Sequence, residues 1–127
     1  LAYPLGSRFG LSHGMSNSMM FAAVSEANVP ADLDKFAILA RALGGKTEGM
    51  SRRESAAAYT AEIKSIIRDV GLPSSLMELG VKASDLDQLV SDAAKQTRLL
   101  INNPRALSPE DIATVYSRAL LGEGCSR

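Results

Sequence analysis

Apolar residues recur along this chain at spacings of three and four, and the pattern runs almost from end to end. Residues 16–27 carry Met19, Met20, Phe21, Ala22, Ala23 and Val24. Such a segment is apolar nearly all round, which predicts a buried helix with methionine filling gaps in the core. Asn28-Val29-Pro30 ends it. A second helix is expected over 31–43, where Leu33, Phe36, Ala37, Ala40 and Leu43 share one face. Gly44-Gly45 stops it, since glycine reaches the left-handed conformation of a helix C-terminus without strain. Ser51-Arg52-Arg53-Glu54 has the form of a capping box, and Tyr59, Ile63, Ile66, Ile67 and Val70 then make a buried stripe closed by Gly71 and Pro73. One short turn over 75–79 ends at Gly80. Ser84 is placed to cap a fourth helix, with Leu86, Leu89, Val90 and Ala93 on one face, running to about Leu100 before Asn102-Asn103-Pro104 breaks it. Ser108-Pro109-Glu110-Asp111 opens the last helix: serine caps, proline occupies the first turn, and acids meet the positive end of the dipole. Ile112, Val115, Tyr116, Ala119 and Leu120 then face inward.

No run alternates apolar and polar residues between hairpin turns, so no strand is predicted. The expected fold is all-α, a compact bundle of five or six helices in one domain over residues 1–121, with 122–127 as a flexible tail. The segment before residue 16, punctuated by Pro4, Gly6, Gly10 and Gly14, reads as a loop.

Composition narrows the function classes. The chain has 127 residues, 46% of them hydrophobic, enough to bury one core. Fourteen basic and fourteen acidic residues cancel, and the basic ones are dispersed, so there is no electrostatic footprint for nucleic acid or an anionic membrane. No apolar run approaches the ~20 residues that span a bilayer, and the start has no secretory signal pattern. The one cysteine, Cys125, has no partner for an intrachain disulfide and reads as a surface thiol in the tail. A soluble protein of the cytoplasm is the expectation.

The candidate chemistry gathers at the front. His13, the only histidine, stands in Ser12-His13-Gly14-Met15-Ser16-Asn17, just after Ala2-Tyr3-Pro4-Leu5-Gly6. Neutral imidazole suits iron or zinc, although one imidazole alone holds neither firmly. No glycine-rich strand-to-helix turn of the dinucleotide-binding type occurs. Asn102-Asn103-Pro104-Arg105 reads as structural, ending one helix and positioning the next. Tyr59 and Tyr116 fall on helical stripes and read as core.

Taken in order, Ala2-Tyr3-Pro4-Leu5-Gly6 with His13-Gly14 and Ser16-Asn17-Ser18, then Ala37 to Gly44, then Gly71-Leu72-Pro73 with Leu79-Gly80-Val81, then Asn102-Asn103-Pro104-Arg105 with Asp111-Ile112, resemble the iron-containing alcohol dehydrogenases along nearly the whole chain. The resemblance implies the helical, metal-carrying C-terminal domain of an enzyme whose N-terminal α/β domain binds NAD(P). Members interconvert alcohols with aldehydes or ketones by hydride transfer. A divalent metal, iron or in some members zinc, acts as Lewis acid on the substrate oxygen and is held by one aspartate and three histidines. His13 matches the last of these ligands. The other three are expected upstream of Leu1. Tyr3 stands where many members have a non-ligand histidine near the nicotinamide, which makes it a candidate pocket residue. Tyrosine does not carry protons near neutral pH at its ordinary pKa.

Two function classes follow. In the first, the chain is the metal-binding domain of such a dehydrogenase, acts on a small alcohol or aldehyde only within the parent enzyme, and alone is inactive and binds no cofactor tightly. In the second, it is a non-catalytic helical module that binds a protein partner or itself. Either way the family's domain interface would be uncovered here, and an exposed apolar face predicts a homo-oligomer.

Overall fold

A computed structural model describes residues 1–122. Among them there are seven α-helices and no strand: α1 (Tyr3–Phe9), α2 (His13–Asn28), α3 (Leu33–Ala42), α4 (Arg52–Asp69), α5 (Leu86–Ala94), α6 (Thr97–Leu100) and α7 (Pro109–Leu121). Three single 3-10 turns, Val29–Ala31, Leu76–Leu79 and Ala83–Asp85, join them. The all-α expectation holds, with seven α-helices among the described residues where five or six were expected. Of the tail expected over 122–127, Gly122 follows α7 and the rest, with Cys125, lies outside the described residues.

Two apolar clusters hold the helices together. The larger unites Leu5 of α1, Met19, Met20 and Ala23 of α2, Leu76 and Val81, Leu89 and Ala93 of α5, and the inward face of α7. The smaller lies inside the α3–α4 hairpin, where Phe36 and Ala40 meet Ala56, Tyr59 and Ile63, with the Phe36 and Tyr59 rings 5.2 Å apart and tilted. Helix α2 joins the two, since it touches α1, α4 and α7. That role explains its all-round apolar character: Met19, Met20 and Ala23 are buried, while Phe21 stays half exposed.

The helix ends obey the local signals. Ser51 accepts from the Glu54 N–H at 3.2 Å while the Glu54 carboxylate accepts from the Ser51 N–H at 2.8 Å. Ser108 and Asp111 make the same reciprocal pair at 3.1 and 2.9 Å. All five residues assigned to the inner face of α7 are buried, and Tyr116, fully enclosed, donates to the Leu1 carbonyl at 2.6 Å. Burial pushes the Tyr116 hydroxyl well above its ordinary pKa, because the phenolate would lose its hydration.

Three details depart from the pattern. Tyr3–Phe9 is a helix, not a loop, and α2 starts at His13 rather than at residue 16. Pro4 sits within its first turn, where a missing N–H costs nothing, and burial of Pro4 and Leu5 outweighs the low helix propensity of Gly6. The fourth predicted helix is broken: Ser84 does not cap it but lies in the 3-10 turn, where the Lys82 N–H donates to the Asp85 carboxylate at 2.8 Å, and the chain interrupts at Lys95–Gln96 before α6. Finally, the stripe on α4 is covered only in part. Tyr59 and Ile63 are buried, but Ile66 and Val70 are 44% and 65% exposed. The α3–α4 cluster gathers around Tyr59 and Ile63 and takes in neither of these last two residues.

Candidate functional site

The front of the chain is built by two helices meeting at a tight corner. Gly10 ends α1 in the left-handed conformation at φ 66°, its N–H donating to the Gly6 carbonyl at 3.1 Å. Leu11 and Ser12 turn the chain, and Ser12 caps α2 by accepting from the Met15 N–H at 3.2 Å. His13 is therefore the first residue of α2. Gly6 fixes how close this corner lies to α1: a Cβ there would stand 3.3 Å from the Leu11 carbonyl oxygen, tighter than an ordinary contact.

Both candidate residues reach solvent from helix starts. Tyr3 opens α1 and is 61% exposed. The His13 side chain is exposed too, and its Nε2 lies 3.0 Å from Nδ2 of Asn17, one turn further along α2. Sequence reasoning took Asn17 only as part of the motif. Its spacing of four from His13 on a helix was the available sign that the two side chains stack. Among the described residues no group of three or more His, Cys, Asp or Glu side chains converges as a metal would require. Among the described residues His13 thus has no converging ligand-type partners, and these donors do not by themselves fit a metal ion.

A cleft of about 130 Å³ opens between α2, α4 and α7 over Met19, Ala23, Ile67 and Ala119, with the Glu26–Arg118 pair at 3.5 Å on its rim. Neither Tyr3 nor His13 lines it.

The Asn102–Arg105 segment acts as a clamp on the far end of α2. Asn28 and Asn103 exchange hydrogen bonds side chain to side chain, Asn28 donating at 2.9 Å and Asn103 at 2.7 Å. Asn103 also donates to the Arg105 carbonyl at 2.7 Å. The Arg105 guanidinium in turn donates to the Ala27 carbonyl at 2.8 Å and to the Asp111 carboxylate at 3.0 Å. The end of α2, the connecting loop and the start of α7 are joined by one network, so the motif is structural as its composition implied. The Ser108 N–H, and after it the Arg105 guanidinium, hold the Asp111 carboxyl below the usual carboxylate range. Arg8 of α1 pairs with Asp92 of α5, which Gln88 also reaches at 3.1 Å. The Arg8 hydrogen bond foremost keeps the Asp92 carboxyl low as well.

The chain and its all-α fold have counterparts among known proteins. The family model described as "Fe-containing alcohol dehydrogenase family, C-terminal" matches residues 1–120, and the chain belongs to that family. It is 34% identical over 122 residues to the long-chain-alcohol dehydrogenase 1 of Geobacillus thermodenitrificans, covering 96% of this chain and 31% of that protein. It is likewise 34% identical over 119 residues to the lactaldehyde reductase of Escherichia coli K12, again covering 31% of it. Among solved structures, a 1,3-propanediol oxidoreductase superposes with a TM-score of 0.88 at 30% identity, over 94% of this chain and 31% of that one. An alcohol dehydrogenase from Oenococcus oeni gives 0.85 at 33% identity, over 93% and 30%. The chain spans about a third of the length of these relatives.

Proposed function

We propose that this chain is the C-terminal helical part of a metal-dependent, NAD(P)-linked alcohol dehydrogenase acting on a small alcohol or aldehyde. In this reading His13 contributes one of four ligands to a divalent ion, iron or zinc, and Tyr3 borders the pocket. The observation that carries it is the position of His13: an exposed imidazole on the first turn of the central helix of a chain that the family model matches over residues 1–120. The remaining ligands and the nucleotide site would come from the two thirds of the relatives' length that this chain does not span. A metal held there would polarise the substrate oxygen. What this chain supplies is the rigid corner at Gly6 and Gly10 that holds the start of α2, and an aromatic hydroxyl at Tyr3 suited to donating a hydrogen bond.

The test is made on the polypeptide that carries this sequence in its native context. Metal content and NAD(P)-linked oxidation of short alcohols are measured for the wild type and for His13→Ala. Loss of both in the variant is expected, as is no turnover from residues 1–127 alone. A variant that keeps its metal and its rate, or turnover by the isolated chain, refutes the reading.

Self-association, with the cytoplasm as setting, is the second part of the proposal. Apolar side chains left in water support it: Ile38 is 58%, Val70 65% and Ile101 82% exposed. Sedimentation is expected to show a dimer or larger species, and a monomer at high concentration removes this part. A non-catalytic helical module would show the same association without any metal loss in His13→Ala.

A further inference from the structure

The cleft between α2, α4 and α7 lies where the two apolar clusters face each other. Its walls carry Met19, Ala23 and Ala119 of the larger cluster, and Ala22 and Ile67 at the edge of the smaller one. Helix α2 packs against both α4 and α7, and at this level three of the wall residues are alanines. A methyl group on each wall leaves the space between the helices unfilled, about 130 Å³ of it. The charged residues that line it are mostly of one sign: Lys64, Arg68 and Arg118 against Glu26 alone. Glu26 pairs with Arg118 at 3.5 Å. Lys64 is half-buried and makes no hydrogen bond or ion pair with another described residue. A lysine in such a place lays its stem along the apolar wall and keeps its ammonium at the water edge. We propose that the cleft binds a short monocarboxylate, an aliphatic or aromatic acid of about six carbons, with its hydrocarbon against Met19, Ala23, Ile67 and Ala119 and its carboxylate at Lys64. Neither Tyr3 nor His13 lines the cleft, so this site is separate from the proposed metal ligand and does not depend on it.

Size and charge set the ligand together. A closed apolar cavity of about 150 Å³ accepts benzene, so this space takes a hydrocarbon group of about that bulk and no more. Each methylene moved out of water strengthens binding by about two- to fourfold. The gain therefore climbs from butanoate to hexanoate and levels off once the cleft is full. The carboxylate at Lys64 adds about three- to tenfold over an alcohol of equal length, because the pair stays partly in water. For a ligand this small, affinity in about the millimolar range is expected.

The probes are hexanoate, hexanol and hexylamine, titrated into the full chain while backbone amide signals are followed by NMR. Hexanoate is expected to move the signals of Met19, Ala23, Ile67 and Ala119 in a saturable way. Hexanol should bind the same residues about three- to tenfold more weakly, and hexylamine more weakly still, since the cations repel it. Lys64→Gln removes the charge and keeps most of the stem. It is expected to bring hexanoate down to the affinity of hexanol and to leave hexanol unchanged. Ala22→Leu fills the space from the α2 wall and is expected to abolish binding of both, with circular dichroism confirming that the helices persist. Should that variant fail to fold, the comparison of the three probes in wild type and Lys64→Gln still decides. Shifts that do not saturate, or that fall outside the cleft, overturn the site. Equal binding of hexanoate and hexanol overturns the choice of an anion, and a Lys64→Gln protein that still prefers hexanoate overturns the role of Lys64.

Discussion

Replacing Asn103 by alanine removes three hydrogen bonds at once and strands a buried partner. Asn103 donates to Asn28 and to the Arg105 carbonyl, and accepts from Asn28, all at 2.7–2.9 Å. Asn28 is only 6% exposed, so water does not readily replace what it loses. Each bond contributes roughly 0.5–1.5 kcal/mol net, and an amide left buried without a partner costs about 1–3 kcal/mol. Because Asn103 is half-buried, water recovers part of this. The expected loss is about 2–4 kcal/mol. Asn28→Ala removes the buried amide itself and leaves Asn103 nearer to water, so it costs less, about 1–2 kcal/mol. The double variant is expected to fall short of the sum by about 1–2 kcal/mol, since the second substitution deletes the group that the first one stranded. Urea unfolding followed by circular dichroism measures all four proteins, with unchanged m-values as the check that only stability has moved. A loss below ~0.5 kcal/mol for Asn103→Ala, or additivity within about that margin, refutes the clamp.

Acid should weaken the same region. The Asp111 carboxyl is held below its ordinary range, mainly by the Ser108 N–H and then by Arg105, so the native state binds its proton less readily than the unfolded chain. That contribution is fully present above the unfolded carboxylate pKa of about 4 and is lost as pH falls through the lower native value. Unfolding at a series of acid pH values should show a shallower decline in Asp111→Asn than in the wild type; parallel curves would remove Asp111 from the account. Core and edge positions should separate sharply. Leu89→Ala, at a fully buried site, is expected to cost about 2–5 kcal/mol, whereas Ile66→Ala, 44% exposed, should stay within about 0.5 kcal/mol. Equal losses in denaturant would show that the α4 stripe is covered after all.

The sequence by itself determined the starts of α4 and α7 and the inward face of α7. Serine caps with an acid three residues on satisfy free N–H groups within a few bonds, so Ser51–Glu54 and Ser108–Asp111 need no distant partner to act. The inner face of α7 was likewise legible in full, because the periodicity of Ile112, Val115, Tyr116, Ala119 and Leu120 coincides with one side of a helix that is covered along its length. The order of motifs identified the family before any geometry was known. Tertiary structure decided what spacing does not encode. It made a helix of Tyr3–Phe9, because burial of Leu5 and the close fit of Gly6 to Leu11 override the signals of proline and glycine. It left Ile66 and Val70 in water, because periodicity says which side of α4 is apolar and not how far a neighbour extends along it. It also joined Asn28 to Asn103 across 75 residues of sequence, a long-range pairing that no local pattern records, because it forms only once the end of α2 and the loop before α7 are packed together.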